Sequence, residues 1–401
     1  MKIKILLIGL GLILCAACNN KPKETNKESV VALSALQYDT LYPQILSNID
    51  SKKFIPRSYN AEKNKIKYVG EYDWTSGFYP GAMWYLYTLT KDEIWKERAT
   101  LYTEKLDTVQ YWSGNHDVGF MMECSYGNAL KHFKSAGYDS VIVQTAKSLS
   151  KRFKPNAGIL KSWDWSKKWK CPVIIDNMMN LELLFHATRI TNDSTYYNIA
   201  VSHANTTIAN HFRSDYSSYH VVDYNPETGE VIQKNTHQGL SDDSAWARGQ
   251  SWALYGYTVC YRETKDKKYL DQANHVANFI LNHPNLPSDK VPYWDFDAPA
   301  GNTTPRDASA AALNASALFE LSQYVNADKK ENYISAANTI VESLSSPAYF
   351  AQTGTNGGFL LLHSVGSKPG DLEVDQPLNY ADYYFLEALI RQQNLKAEVQ
   401  M

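Results

Sequence analysis

The chain has 401 residues, long enough for one large domain or two ordinary ones. Its 40 Lys and Arg stand against 42 Asp and Glu, a near-neutral balance that argues against a nucleic-acid surface. Aromatics make up 13%, with 28 Tyr and 10 Trp, which leans toward flat polar ligands such as sugars.

In chain order, Lys2 and Lys4 precede an apolar run from Ile5 to Leu14, and Cys15-Ala-Ala-Cys18 follows. A short basic region, an apolar core and small residues before a cysteine describe a secretory signal. The run is too short to span a bilayer as a helix. Ala16-Ala17-Cys18 resembles a bacterial lipobox, with Cys15 where such signals usually carry Leu. Residues 1–18 are therefore expected to be a lipoprotein-type signal peptide with Cys18 as the lipidated residue, and 19–29 a polar tether. The product would be exported to the periplasm and anchored to a membrane; ordinary cleavage and release is the alternative. Residues 30–401 are expected to form a single domain. Cys124, Cys171 and Cys260 are an odd, widely spaced trio, neither a disulfide framework nor a metal-ligand set.

Apolar recurrence at helical spacing predicts helices near 30–51, 79–90, 92–110, 121–136, 138–154, 176–191, 194–213, 248–263, 267–283, 307–325, 330–346 and 379–394. No convincing run of alternating strand residues is visible. Connectors near 91, 137, 192, 265 and 327 are a few residues long, whereas those between are mostly long and hold most of the Gly, Pro, Trp and His. "GAMWYLYTL" and "DASAAALNASALF" are nearly uncharged, as buried helices are, while "KKYLDQANHVANFI" has a charged face suited to the surface. Six such pairs, with long loops gathered at one end, predict an all-α fold, an (α/α)6 barrel of six helical hairpins. A solenoid of helical hairpins is the alternative, but no repeat of fixed period is present. Each long connector would deliver the chain to the N-terminus of an inner helix. Unpaired N–H groups and helix dipoles at that mouth favour an anionic ligand.

Asp117 in "GNHDVGFMME" and Asp176 in "CPVIIDNMMN" lie at two of these helix starts. Each can be read as an N-cap. Each can equally be one carboxyl of an acid/base pair acting on a sugar. The apolar Pro172-Val173-Ile174-Ile175 before Asp176 would raise its pKa toward the range of a general acid. Arg248 suits a substrate carboxylate, or else a salt bridge to Asp242 or Asp243. Trp74, Trp163, Trp165 and Trp252 are candidates to stack on sugar rings or to fill the core. No spacing makes His116, His220 or His237 metal ligands.

"NHDVGF", "IIDNMMNLELLF", "THQGLSDDSAWARGQSWALYG" and the terminal "YADYYFLEALI" together resemble glycoside hydrolase family 88, the unsaturated glucuronyl hydrolases, over nearly the whole mature chain. The resemblance implies an (α/α)6 barrel. It also implies removal of the C4=C5 unsaturated uronate that lyases leave at the non-reducing end of glycosaminoglycan fragments, by hydration of the vinyl ether. Asp176 would be the acid/base that protonates C4 and helps water add at C5, with Asp117 the second essential carboxyl. Arg248, Trp252, Gln238, His237, His220 and Trp74 match substrate-binding positions. No metal or organic cofactor is implied. Ser364, Ser367 and Lys368 in "LLHSVGSKPG" are candidates to contact sulfate, with a spacing unlike the Ser/Ser/Lys set of some relatives; a solvated turn is the other reading. The competing functions are an unsaturated galacturonyl hydrolase acting on pectin fragments, a non-catalytic glycan-binding lipoprotein, and a polysaccharide lyase.

Overall fold

Thirteen helices and nine short strands alternate along residues 27–400, the part of the chain that the computed structural model describes. The leader, Cys18 and most of the expected tether lie outside the described residues. The helices are α1 (Lys27–Leu46), α2 (Phe78–Thr90), α3 (Glu93–Glu104), α4 (Val118–Met122), α5 (Asn128–Leu130), α6 (Ala136–Ser150), α7 (Leu181–Thr191), α8 (Ser194–Asn210), α9 (Ala247–Thr264), α10 (Lys267–Asn282), α11 (Ala308–Leu321), α12 (Ala327–Leu344) and α13 (Asn379–Gln400). Helix therefore begins at Lys27, inside the stretch expected to be a tether. A π-turn, Glu123–Gly127, joins α4 to α5 so that the two act as one wall element, and a 3-10 turn, Ile175–Asn180, leads into α7.

The barrel wall follows from composition. Every residue of α11 is buried, as is α9 from Ala247 to Cys260, so these helices pack on all sides. In α10 the buried Tyr269, Ala273, Val276, Ala277 and Ile280 recur every three or four positions, which leaves one face to solvent. The inner helices α2, α4–α5, α7, α9, α11 and α13 contact one another in turn, and α13 returns to α2 to close the ring. This is the helical barrel expected from the alternating connectors.

Three of the short connectors use one local device. Lys91, Asn192 and Lys265 take left-handed conformations that end α2, α7 and α9. The next residue is an aspartate each time, and Asp92, Asp193 and Asp266 cap the outer helix by accepting the N–H of Ile94, Thr195 and Lys268 at 3.1, 2.8 and 3.1 Å. The chain thus reverses within two residues at the ends of α2, α7 and α9.

The long connectors hold β-structure that was not expected. Four small antiparallel sheets are present: β1 (Ile55–Asn60) with β2 (Lys65–Val69), β3 (Phe153–Lys154) with β4 (Ile159–Leu160), β5 (Pro172–Ile174) with β6 (Val221–Tyr224) and β7 (Val231–Asn235), and β8 (Ser364–Ser367) with β9 (Leu372–Gln376). Alternation failed as a signal because the strands are short and several, such as β5, β6 and β8, are buried on both faces. The sheet β5–β6–β7 pairs Val173 with Val222 and Val222 with Lys234, tying the approach to α7 to the approach to α9.

Candidate active site

A cavity of about 510 Å³ opens where the inner helices begin. The connectors before α2, α4, α7 and α9 supply Trp74, Asp117, Asp176, His237 and Gln238; α9 itself supplies Arg248 and Trp252, and Ser367 enters from the β8–β9 hairpin. These eight residues, all singled out in the sequence, line one space. His220 stands just behind it.

Neither key aspartate caps a helix. Asp117 occupies the cap position of α4 but makes no side-chain cap bond, and Asp176 lies in the first turn of the 3-10 segment, whose cap is Ile174. Their two turns are locked together. A Cβ at Gly119 would fall 2.6 Å from the Asn180 side chain, so only glycine allows the approach. The Asn180 Oδ1 then accepts the Phe120 N–H at 2.9 Å.

Burial raises the Asp176 pKa to about 7, against opposing contributions from Arg248, its own amide and the Trp252 indole N–H. One of its oxygens, Oδ2, is buried and makes no hydrogen bond. Burial also holds Asp117 well above the ordinary carboxyl range, and the neighbouring Asp176 and Asp73 charges push it the same way. His116 is buried and driven down to about 3, hence neutral. Its Nδ1 faces the Asn180 amide nitrogen at 3.4 Å, which leaves Nε2–H for Asp117 Oδ1 at 3.2 Å.

His220 has its tautomer fixed by the backbone. Its Nδ1 accepts the N–H groups of His237 and Gln238, both at 3.0 Å, so the ring proton sits on Nε2. That nitrogen faces Asp176 Oδ2 at 3.6 Å, too long for a hydrogen bond. Burial keeps the ring neutral. The His220 carbonyl accepts the Ile175 N–H at 3.0 Å, so one residue both faces Asp176 and seats its backbone.

Arg248 is fully buried, and its partner is not Asp242 or Asp243. Asp242 instead closes its own loop by accepting the Thr236 N–H at 2.7 Å. Arg248 Nη1 bonds Asp307 Oδ2 at 2.9 Å and the Val365 carbonyl, while Nη2 bonds the Gly366 carbonyl at 2.6 Å. Most of the terminal fork is therefore committed to protein acceptors; Nη2 makes one bond for its two N–H groups, and Nε, itself buried, has no partner. The salt bridge expected with Asp242 or Asp243 is thus formed with Asp307 instead, and Arg248 brings positive charge to the cavity wall.

No family model matches the chain. It is 44% identical over 400 residues to a Formosa agariphila protein named unsaturated glucuronyl hydrolase, a match covering 98% of this chain and 99% of that one. The chain belongs to the unsaturated glucuronyl hydrolases. It is also 36% identical over 326 residues to an unsaturated chondroitin disaccharide hydrolase of Streptococcus pneumoniae, covering 80% of this chain and 81% of the other. A solved unsaturated glucuronyl hydrolase described as specific for heparin superposes with a TM-score of 0.87 at 45% identity, over 92% of this chain and 98% of that one. This is an enzyme family, and the reading as a non-catalytic binding protein falls away.

One further expectation for this glucuronyl hydrolase needs correcting. Ser364 is fully buried and does not line the cavity, unlike Ser367. Three residues apart on one strand, their side chains leave opposite faces of the pleat. Lys368 is exposed at the hairpin turn and lies outside the cavity lining.

Arg57 and Glu373 were missed, though both line the cavity. Arg57 Nη1 bonds Asp73 at 3.0 Å and its Nη2 bonds Glu373 Oε2 at 2.9 Å, while Lys67 adds a 2.7 Å bond to Glu373. Arg57 also lies 5.5 Å from the Trp74 ring centre. An alternating arginine in "IPRSY" was the available signal, and it went unread because β1 was not recognised.

Proposed function

We propose that this enzyme removes the C4=C5 unsaturated glucuronyl residue from the non-reducing end of lyase-generated glycosaminoglycan fragments, by hydrating the vinyl ether. The observation that carries the reading is Asp176, a carboxyl with a pKa of about 7 and an unpartnered oxygen beside a second raised carboxyl. At neutral pH such a group holds a proton that it can release. Asp176 would give that proton to C4, and the carboxylate left behind would take one from the water that adds at C5. The hemiketal so formed opens, expels the neighbouring sugar and leaves a keto uronic acid. His220 Nε2–H is placed to steady Asp176 as its charge appears, and the neutral His116 holds Asp117. Trp74 and Trp252 give the sugar apolar walls, with Gln238 and His237 at the rim. Arg248 offers the uronate carboxylate its charge.

The heparin-specific relative at 45% identity favours heparin-type disaccharides over chondroitin-type ones. The test follows the ultraviolet absorbance of the unsaturated bond in both disaccharides. Wild type should bleach the signal and Asp176→Asn should not; loss at equal rates in both proteins would remove Asp176 from the chemistry.

We also propose export and anchoring through Cys18, supported by the basic, apolar and Ala-Ala-Cys order of residues 2–18. A Cys18→Ser chain that still partitions with membranes would sink this proposal.

A further inference from the structure

Of the ten tryptophans, Trp165 alone is exposed, at 65%, while the others are buried or half-buried. It stacks on Trp163 with ring centres 5.1 Å apart, and both line the cavity. His237 packs against Trp163, Trp165 and Trp169 at 5.7, 5.4 and 6.0 Å, so one aromatic wall runs from the cavity out to solvent. An indole left 65% exposed adds little to the core, but it offers a flat face to a sugar ring.

The same segment carries charge. Residues 161–171 hold four lysines and one aspartate in a chain whose net charge is −2. Lys161 is paired with Asp164, and Lys170 with Glu227. Lys167 and Lys168 are exposed and have no carboxylate partner within 4.0 Å among the described residues. The Lys168 ammonium lies 4.8 Å from the Trp169 ring centre, and after burial its charge is the second cause that lowers the pKa of His237 on the cavity wall. Neither lysine lines the cavity. A space of about 510 Å³ is of the size that encloses a drug-sized ligand, and Trp165, which lines it while 65% exposed, stands at its solvent edge, where a longer sugar chain would leave.

We propose that Trp165, Lys167 and Lys168 form an outer site that holds an anionic sugar of the substrate chain beyond the first two. The inference rests on the hydrolase reading and deepens it: the enzyme would favour tetrasaccharides whose third or fourth sugar carries sulfate or carboxylate. Trp165 supplies the stacking face, and the lysines supply charge that water screens only in part.

The test compares kcat/KM on lyase-generated disaccharides and tetrasaccharides of one backbone, with and without sulfate. Wild type should prefer the tetrasaccharide. In Lys167→Ala/Lys168→Ala that preference should fall roughly three- to tenfold, the range that two exposed charge contacts supply, through KM and with disaccharide turnover unchanged. A loss confined to sulfated tetrasaccharides identifies sulfate as the anion; an equal loss on unsulfated ones identifies the uronate carboxylate. Trp165→Ala should also lower the tetrasaccharide preference. A wild type with no such preference, or a lysine variant that loses both substrates equally, overturns the outer site. A wild type inactive on every substrate overturns the hydrolase reading and this site with it.

Discussion

Asp176 holds its proton because Val173 and Ile174 on a buried strand, and Ile175 at the start of the 3-10 turn, leave its carboxyl little water. That part of the chemistry was legible in the sequence, since an apolar run directly before an acidic residue predicts desolvation. The tautomer of His220 was not legible, because it depends on two backbone N–H groups 17 and 18 residues away. Nor was the Arg248–Asp307 pair, which spans 59 residues and two helices. The raised pKa has a consequence for stability. An acid whose pKa rises on folding binds its proton more tightly in the native state, so its contribution is complete below about pH 3.8 and is lost as pH rises through about 7. A shift of that size corresponds to at most about 4 kcal/mol. Asp176→Asn should therefore melt above wild type at pH 8 and alongside it at pH 4, while being inactive at both. Equal melting temperatures at pH 8 would show that burial of this carboxyl carries no strain in the fold.

At the level of elements, the helices were readable and the strands were not. An inner helix such as α11 announces itself by lacking charge along its whole length, and an outer one by a single apolar face. A four-residue strand buried on both sides, such as β8, leaves no comparable pattern, so the β8–β9 hairpin was read as a loop. Yet this hairpin forms much of one cavity wall and is held under tension. Asp371, Glu373 and Asp375 all have positive φ, a conformation that a non-glycine residue keeps only when its surroundings insist. Glu373 is fastened by Arg57 and Lys67, and Asp375 by His363 at 2.6 Å. Gly366 lies opposite. A Cβ there would meet the Glu373 carboxylate at 2.5 Å and the Leu372 carbonyl at 2.8 Å, and the Gly366 carbonyl accepts from both Arg248 and Gln238. Gly366→Ala should thus displace two cavity residues at once and lower kcat/KM about tenfold or more, the effect of some 1.4 kcal/mol lost from the transition state. An unchanged kcat/KM would mean that the hairpin yields without disturbing Arg248.

For the molecule as a whole, closure of the ring depends on more than apolar packing. Phe120 separates the cavity from a smaller polar space beneath it, which Glu387 of α13 also lines. Glu387 accepts hydrogen bonds from Tyr85 of α2 at 2.7 Å, Tyr255 of α9 at 3.0 Å and Ser316 of α11 at 2.5 Å, with Arg391 of its own helix at 3.4 Å. One carboxylate near the axis thereby fastens four of the six inner elements. Glu387→Ala would deprive three hydroxyls of their shared acceptor, while Arg391 keeps Glu320 at 2.7 Å, and is expected to lower stability by about 1–3 kcal/mol, read as a fall in the urea midpoint. Glu387→Gln, which keeps part of the bonding, should lose less; equal losses would assign the effect to charge alone. Higher in the barrel, charge is arranged to a different end. Arg57 already faces Asp73 and Glu373, Arg248 already faces Asp307, and the two remaining carboxyls are held toward their neutral forms. Both arginines that line the cavity thus have a carboxylate beside them, so an anionic sugar meets a charge that the protein has already balanced.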